Sequence, residues 1–181
     1  MKQHWAQVIL HVILLGLADA CAASTLLKAE NIPADLRVPA GAVLAQQVRA
    51  AGVQIYGCSA DKSDAARFSW TLKQPEADLF DQAGIKIGKH YGGPTWEAND
   101  GSRVTGEVVA RADSRVANSI PWLLLRAKSA SGSGLFGSVL FIQRLSTAGG
   151  NAPAGGCDQT SAGAEVRTPY TAEYWFYAAA P

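Results

Sequence analysis

Between residues 53 and 178 the chain runs in short stretches that alternate apolar and polar side chains, broken by glycine, proline, asparagine and aspartate. A period of two marks a strand with one face buried, and stretches this short leave little room for helices of ordinary length. In VQIYGC (53–58), Val53 and Ile55 oppose Gln54, Tyr56 and Cys58; in RFSWTLK (67–73), Phe68, Trp70 and Leu72 oppose Ser69 and Thr71. The pattern continues in ADLFD (77–81), IKIGKHY (85–91), SRVTGEVVA (102–110), WLLLRAK (122–128), SVLFIQRLST (138–147) and YTAEYWFYA (170–178). In the last of these, Tyr170, Ala172, Tyr174 and Phe176 share one side. The breaks carry turn chemistry: Gln82-Ala83-Gly84, Gly92-Gly93-Pro94, Asn99-Asp100-Gly101 and Ser131-Gly132-Ser133-Gly134. Asp-Gly in particular suits the positive φ angles of a tight hairpin. About eight strands predict a single all-β domain, an antiparallel sandwich or barrel. Alternation does not encode strand order, so both architectures stay open.

Three segments are less regular. AVLAQQVRAAG (42–52) is alanine-rich and long enough for three helical turns; its apolar positions fit neither period cleanly, and it is read as strand. Residues 24–41, with Pro33, Pro39 and Gly41, read as an extended lead-in. Residues 147–169 form a long Gly/Ala/Pro loop inside the β domain of residues 42–181.

The start of the chain has the layout of a secretory signal: a basic head at Lys2, an apolar run from Trp5 to Leu17, then small residues at Ala18, Ala20, Ala22 and Ala23. Spanning a bilayer takes roughly 18 to 20 apolar residues, and this run is shorter and interrupted by Gln7, His11 and Gly16. The expectation is therefore a signal peptide over residues 1–20, cut at 20/21 or 22/23, with no transmembrane span in the mature protein. A cut before Cys21 would allow lipoprotein anchoring. Ala18 and Asp19 at −3 and −2 do not match that signal, so lipidation of Cys21 is the secondary reading.

Loss of residues 1–20 removes Lys2, His4, His11 and Asp19 and leaves a near-neutral mature chain whose sole histidine is His90. That balance offers no electrostatic footing for nucleic acid. With Cys21 at the processing site, Cys58 and Cys157 remain, and in an oxidising compartment they are expected to form a disulfide that pins the 147–169 loop to VQIYGC. No CxxC spacing supports a metal, and none is expected.

The chemistry-bearing residues concentrate in GKHYGGPTWEANDGS (88–102): His90, Tyr91, Trp96, Glu97 and Asp100 are the candidate ligand-binding residues. His90 with Glu97 or Asp100 would make the acid/base pair of a hydrolase if these groups met in one cleft. A catalytic zinc needs about three protein ligands, which one imidazole and a bridged cysteine pair do not supply. Gly132, Gly134 and Gly137 match GxGxxG, but the following stretch is strand-like, so the match reads as a hairpin loop and no cofactor is expected. Most aromatics belong to the core; Trp175 and Tyr177, on the opposite face of their strand, are candidates for a platform that stacks flat ligands.

VQIYGC, FSW, LFD with GIKIGKHYGGPTWEANDGS, IPWLLLRAK, FIQRLSTAGGNAP with nearby Cys157, and PYTAEYWFY form an ordered string over about residues 36–178. This string resembles a family of exported bacterial and fungal proteins of unknown function, and the resemblance implies one exported domain with no assigned mechanism. Some fungal relatives carry an automatic malate dehydrogenase label, which this chain does not support: it has no βαβ unit and no supported dinucleotide loop. The leading reading is an exported, non-catalytic binding or envelope-associated protein. Its partner would be a small molecule, a glycan or an envelope component. The alternatives are the His90 hydrolase and a purely structural envelope component.

Overall fold

The computed structural model describes residues 31–180. The expected signal segment, its cleavage points and Cys21 lie outside the described residues.

The described chain folds as eight antiparallel strands closed into one barrel: β1 (Ala42–Ala60), β2 (Phe68–Phe80), β3 (Lys86–Tyr91), β4 (Thr95–Ala98), β5 (Arg103–Ala112), β6 (Trp122–Ser131), β7 (Val139–Gly149) and β8 (Glu165–Ala179). Each strand pairs with its neighbour in sequence, and β8 returns to β1, so barrel rather than sandwich is the outcome. Closure removes the unpaired edges that an open sheet would leave.

The strand count matches the expectation, but the strands are divided differently. The alanine-rich segment and VQIYGC form one long strand, β1, which pairs with β2 on one side and β8 on the other. RFSWTLK and ADLFD likewise fuse into β2, with Pro75 tolerated opposite Gln54. TWEA, in the middle of the chemistry-rich segment, is itself a strand. Strands β7 and β8 extend further than their alternation suggested, so their connection spans only 150–164.

Alternation on β8 is borne out: Tyr170, Ala172, Tyr174 and Phe176 all point into the core. They pack there with Trp96, Leu79, Val104, Leu125, Phe136 and Ile142. Gly52 marks a close approach of two strands, since a Cβ there would lie 2.2 Å from the carbonyl oxygen of Glu76. A second, smaller core lies outside the barrel wall. The lead-in crosses strands β5 and β6, and through a single 3-10 turn (Ala34–Leu36) buries Ile32 and Leu36 against Trp122, Leu124, Leu145 and Trp175. The Gln143 amide donates to the Leu36 carbonyl at 2.6 Å, and the Tyr177 hydroxyl donates to Gln143 Oε1 at 2.7 Å. This strap covers Trp175, which is 4% exposed, so Trp175 and Tyr177 do not form an open platform.

Cys58 and Cys157 are joined in a disulfide across 99 positions, tying the 150–164 connection to β1. The Tyr56 hydroxyl adds a second tie, donating to the Gly150 carbonyl at 2.6 Å. No helix among the described residues is long and apolar enough to cross a membrane.

Candidate functional site

An antiparallel meander sends alternate turns to opposite ends of the barrel, and the two ends differ in chemistry. At one end the strands open around a cavity of about 580 Å³, bounded by the Gly92-Gly93-Pro94 turn, by Ile120 and Pro121 before β6, and by Asn151 after β7. Pockets that hold small ligands run from roughly 300 to 1,000 Å³. Leu72 and Val108, both exposed, form part of the lining, while His90, Trp96 and Tyr174 lie inward of them.

His90 reaches the cavity because β3 alternates: Gly88 and His90 face inward, Lys89 and Tyr91 outward. Its ring lies on Trp96, its partner across β3 and β4, and meets Tyr174 edge-on at 5.1 Å. His90 is 2% exposed, and Nδ1 sits 2.8 Å from the Thr95 carbonyl. A carbonyl only accepts, so Nδ1 carries the proton and Nε2 keeps its lone pair. Burial lowers the His90 pKa to about 3, with the nearby Arg144 charge acting in the same direction against the Thr95 bond. At neutral pH the imidazole is uncharged.

The remaining sequence candidates fall elsewhere. Tyr91 and Glu97 meet on the outer wall, where the Tyr91 hydroxyl donates to Glu97 Oε2 at 2.6 Å. Glu97 also pairs with Lys89 at 3.3 Å. The Tyr91 bond, followed by the lysine, holds the Glu97 carboxyl below its ordinary pKa. Strand alternation thus places His90 and Glu97 on opposite faces of the same sheet. Asp100 sits at the far end of the barrel in the β4–β5 turn. Its Oδ1 accepts from the Ser102 hydroxyl and amide at 2.6 and 2.8 Å, and its Oδ2 accepts from the Leu135 amide at 2.9 Å. These bonds lower its pKa and pin the loop that carries the GxGxxG match. Gly134 lets the carboxylate come this close, because a Cβ there would fall 2.1 Å from Asp100 Oδ2 and push it aside. Of the five candidates the structure therefore places two at the cavity, His90 and Trp96, and joins Tyr91 to Glu97 on the outer wall.

Sequence reasoning missed several lining residues. Gln54 and Tyr56 come from β1, Arg111 from the end of β5, and Arg144 from β7, in register with inward-facing Tyr174. Arg144 Nε and Nη2 both donate to the Pro121 carbonyl, at 3.1 and 2.9 Å. Its charge acts on Tyr56, His90, Tyr170 and Tyr174. Burial raises the pKa of all three tyrosines, so their hydroxyls stay protonated, and that of Tyr56 is already given to the Gly150 carbonyl. Three lining residues hold buried polar atoms with no hydrogen-bond partner: Gln54 Nε2, Trp96 Nε1 and the Tyr174 hydroxyl. The signal that could have found Arg144 is its parity, two positions after Ile142 on the same strand. Among the described residues, no group of three or more His, Cys, Asp or Glu side chains is arranged to hold a metal.

The fold and its end cavity define a closed, disulfide-linked antiparallel β-barrel with an internal cavity at one mouth. A family model described as a protein of unknown function (DUF3455) matches residues 39–178, and the chain belongs to that family. No curated protein and no solved structure matches the chain. Nothing in these comparisons supports a malate dehydrogenase label.

Proposed function

We propose that this protein is an exported, non-catalytic binding domain that takes a small molecule into the open end of its barrel. One observation carries the reading: Gln54, Trp96 and Tyr174 line the 580 Å³ cavity, and each has a buried polar atom with no partner. Native proteins satisfy nearly all such groups, so three at one cavity suit a ligand or ordered water that completes them. The separation of His90 from both Glu97 and Asp100 favours binding over acid/base hydrolysis. Export rests on the pattern of residues 1–20 and is supported by the disulfide, since such bridges persist in oxidising compartments.

A thermal-shift screen of small metabolites against the mature protein tests the binding reading. A ligand at one hundred times its Kd adds about 2.7 kcal/mol. In a domain of this size that raises Tm by roughly 5 to 10 °C. The rise is expected to shrink in Gln54→Leu and Trp96→Phe. Hits that stabilise both variants as well as the parent would move the site away from this cavity. For export, N-terminal sequencing of protein recovered outside the cytoplasm should begin at Cys21 or Ala23; recovery only of uncut chain from the cytoplasm overturns it.

A further inference from the structure

We infer that the barrel-end cavity is built for an organic anion, a carboxylate or sulfonate on a flat apolar body, with the Arg144 guanidinium as the anion's anchor; this rests on the proposal that the cavity is a ligand site.

The charge of the lining is one-sided. Lys73, Arg111 and Arg144 contribute to it, and no aspartate or glutamate does. On the outer wall the pattern is the reverse: Lys86 pairs with Asp78, Arg126 with Glu107 and Arg167 with Glu76. Lys73 is itself compensated by Glu165. Among the described residues no carboxylate pairs with Arg111 or Arg144.

Arg144 is the more informative of the two, because it points inward from β7 and is only partly accessible. A cation partly withdrawn from water without a counter-ion is less well solvated than on the open surface, so an uncompensated inward-facing arginine marks a place where an anion is welcome. It is also held in position. Two of its N–H groups bind the Pro121 carbonyl and the Tyr174 hydroxyl lies beside the guanidinium, which still leaves part of the five-donor fork over for a ligand. A guanidinium in this state suits the two oxygens of a carboxylate or sulfonate.

The surrounding groups extend the same preference. Tyr174 presents a protonated hydroxyl, and Gln54 Nε2 and Trp96 Nε1 are donors without acceptors. His90 is uncharged at neutral pH and adds no further cation to this lining. The apolar part of the ligand has its own surface in Leu72, Pro75, Pro94, Val108, Leu123 and Leu125.

The test is a fluorescence titration of the mature protein with two dyes that share a ring system and differ in one group: 1-anilinonaphthalene-8-sulfonate and neutral N-phenyl-1-naphthylamine. The sulfonate is expected to bind at one site per chain about tenfold tighter or more. In Arg144→Gln that preference should fall to about twofold or less, with the neutral dye unaffected. Equal affinities in the parent, or a preference that survives Arg144→Gln, overturn the anion inference and leave the cavity reading standing. Failure of both dyes to bind overturns the two together. If Arg144→Gln does not fold, Arg111→Gln replaces it. That side chain is exposed, and a loss of sulfonate affinity of about threefold is expected; an unchanged dye ratio counts against the inference.

Discussion

The imidazole of His90 lies flat on the indole of Trp96, with ring centroids 4.4 Å apart and planes 10° from parallel. The two residues are direct cross-strand partners at the start of the β3–β4 hairpin, so the stack is a product of register, and it carries the chain's charge-sensitive group into the barrel. Because the pKa of His90 falls from 6.5 to about 3 on folding, the unfolded chain binds more protons than the folded one between those values. Stability from this group is complete above pH 6.5 and is lost as pH falls toward 3. Urea midpoints measured at pH 7 and pH 5 should differ by an amount equivalent to about 2 kcal/mol. His90→Phe should remove that difference. The window between pH 6.5 and 5 is diagnostic because the carboxylates with resolved shifts all start at or below 4.5. A slope that persists in His90→Phe would assign the pH dependence elsewhere.

Asp100 offers the opposite case, a candidate site residue whose bonds are all architectural. With Oδ1 on Ser102 and Oδ2 on Leu135, it joins the β4–β5 turn to the loop before β7. Asp100→Ala should lower Tm by about 4 to 8 °C, the scale of losing two or three hydrogen bonds in a domain of this length. Dye or ligand affinity at the other end of the barrel should stay within about twofold. A large loss of affinity with an unchanged Tm would reverse this assignment.

The disulfide should act on the site as well as on stability. Cys157 belongs to the same connection as Asn151, a cavity residue, and its bridge to Cys58 holds that wall against β1. Closing a loop of about 100 residues is worth up to about 4.7 kcal/mol by chain entropy. Reduction, or the Cys58→Ser/Cys157→Ser double substitution, should lower the urea midpoint and open residues 150–164 to limited proteolysis. It should also weaken ligand binding more than Asp100→Ala does. Equal midpoints for oxidised and reduced protein would remove the stabilising role.

What the sequence made legible follows from how many faces of a strand are buried. Strand β8 has an inner face of Tyr170, Ala172, Tyr174 and Phe176, and its phase could be read directly. On β6 and β7 both faces are covered, the inner by the core and the outer by the lead-in, so WLLL and FIQRL lose their alternation. That loss hid Arg144, whose inward direction needs the phase of β7. His90 and Trp96 were found by composition, but Glu97 and Asp100 beside them were not separable from the site, because adjacency in sequence on a hairpin places neighbours on opposite faces. The closure of β8 on β1 lies in pairing alone, which no local pattern records.

The lead-in is the element whose importance sequence reasoning least anticipated, and it supports the sharpest stability prediction. Leu36 is fully buried although it lies outside the barrel, and it packs in the cluster that holds Trp122, Leu124, Leu145 and Trp175. Burial of a leucine in a formed core is worth about 2 to 5 kcal/mol when it is cut to alanine. Leu36→Ala is therefore expected to destabilise by that amount and to shift tryptophan emission to longer wavelength as Trp122 and Trp175 meet water. Gln143→Leu, which leaves the packing but removes the donor to the Leu36 carbonyl and the acceptor for Tyr177, should produce a smaller loss of about 1 to 3 kcal/mol. Because the strap lies on the outer wall and the cavity inside it, neither variant should alter the preference between the anionic and neutral dyes. A Leu36→Ala protein as stable as its parent would show that the strap merely lies on the barrel. A change in dye preference in either variant would show that the strap sets the geometry of β7 around Arg144.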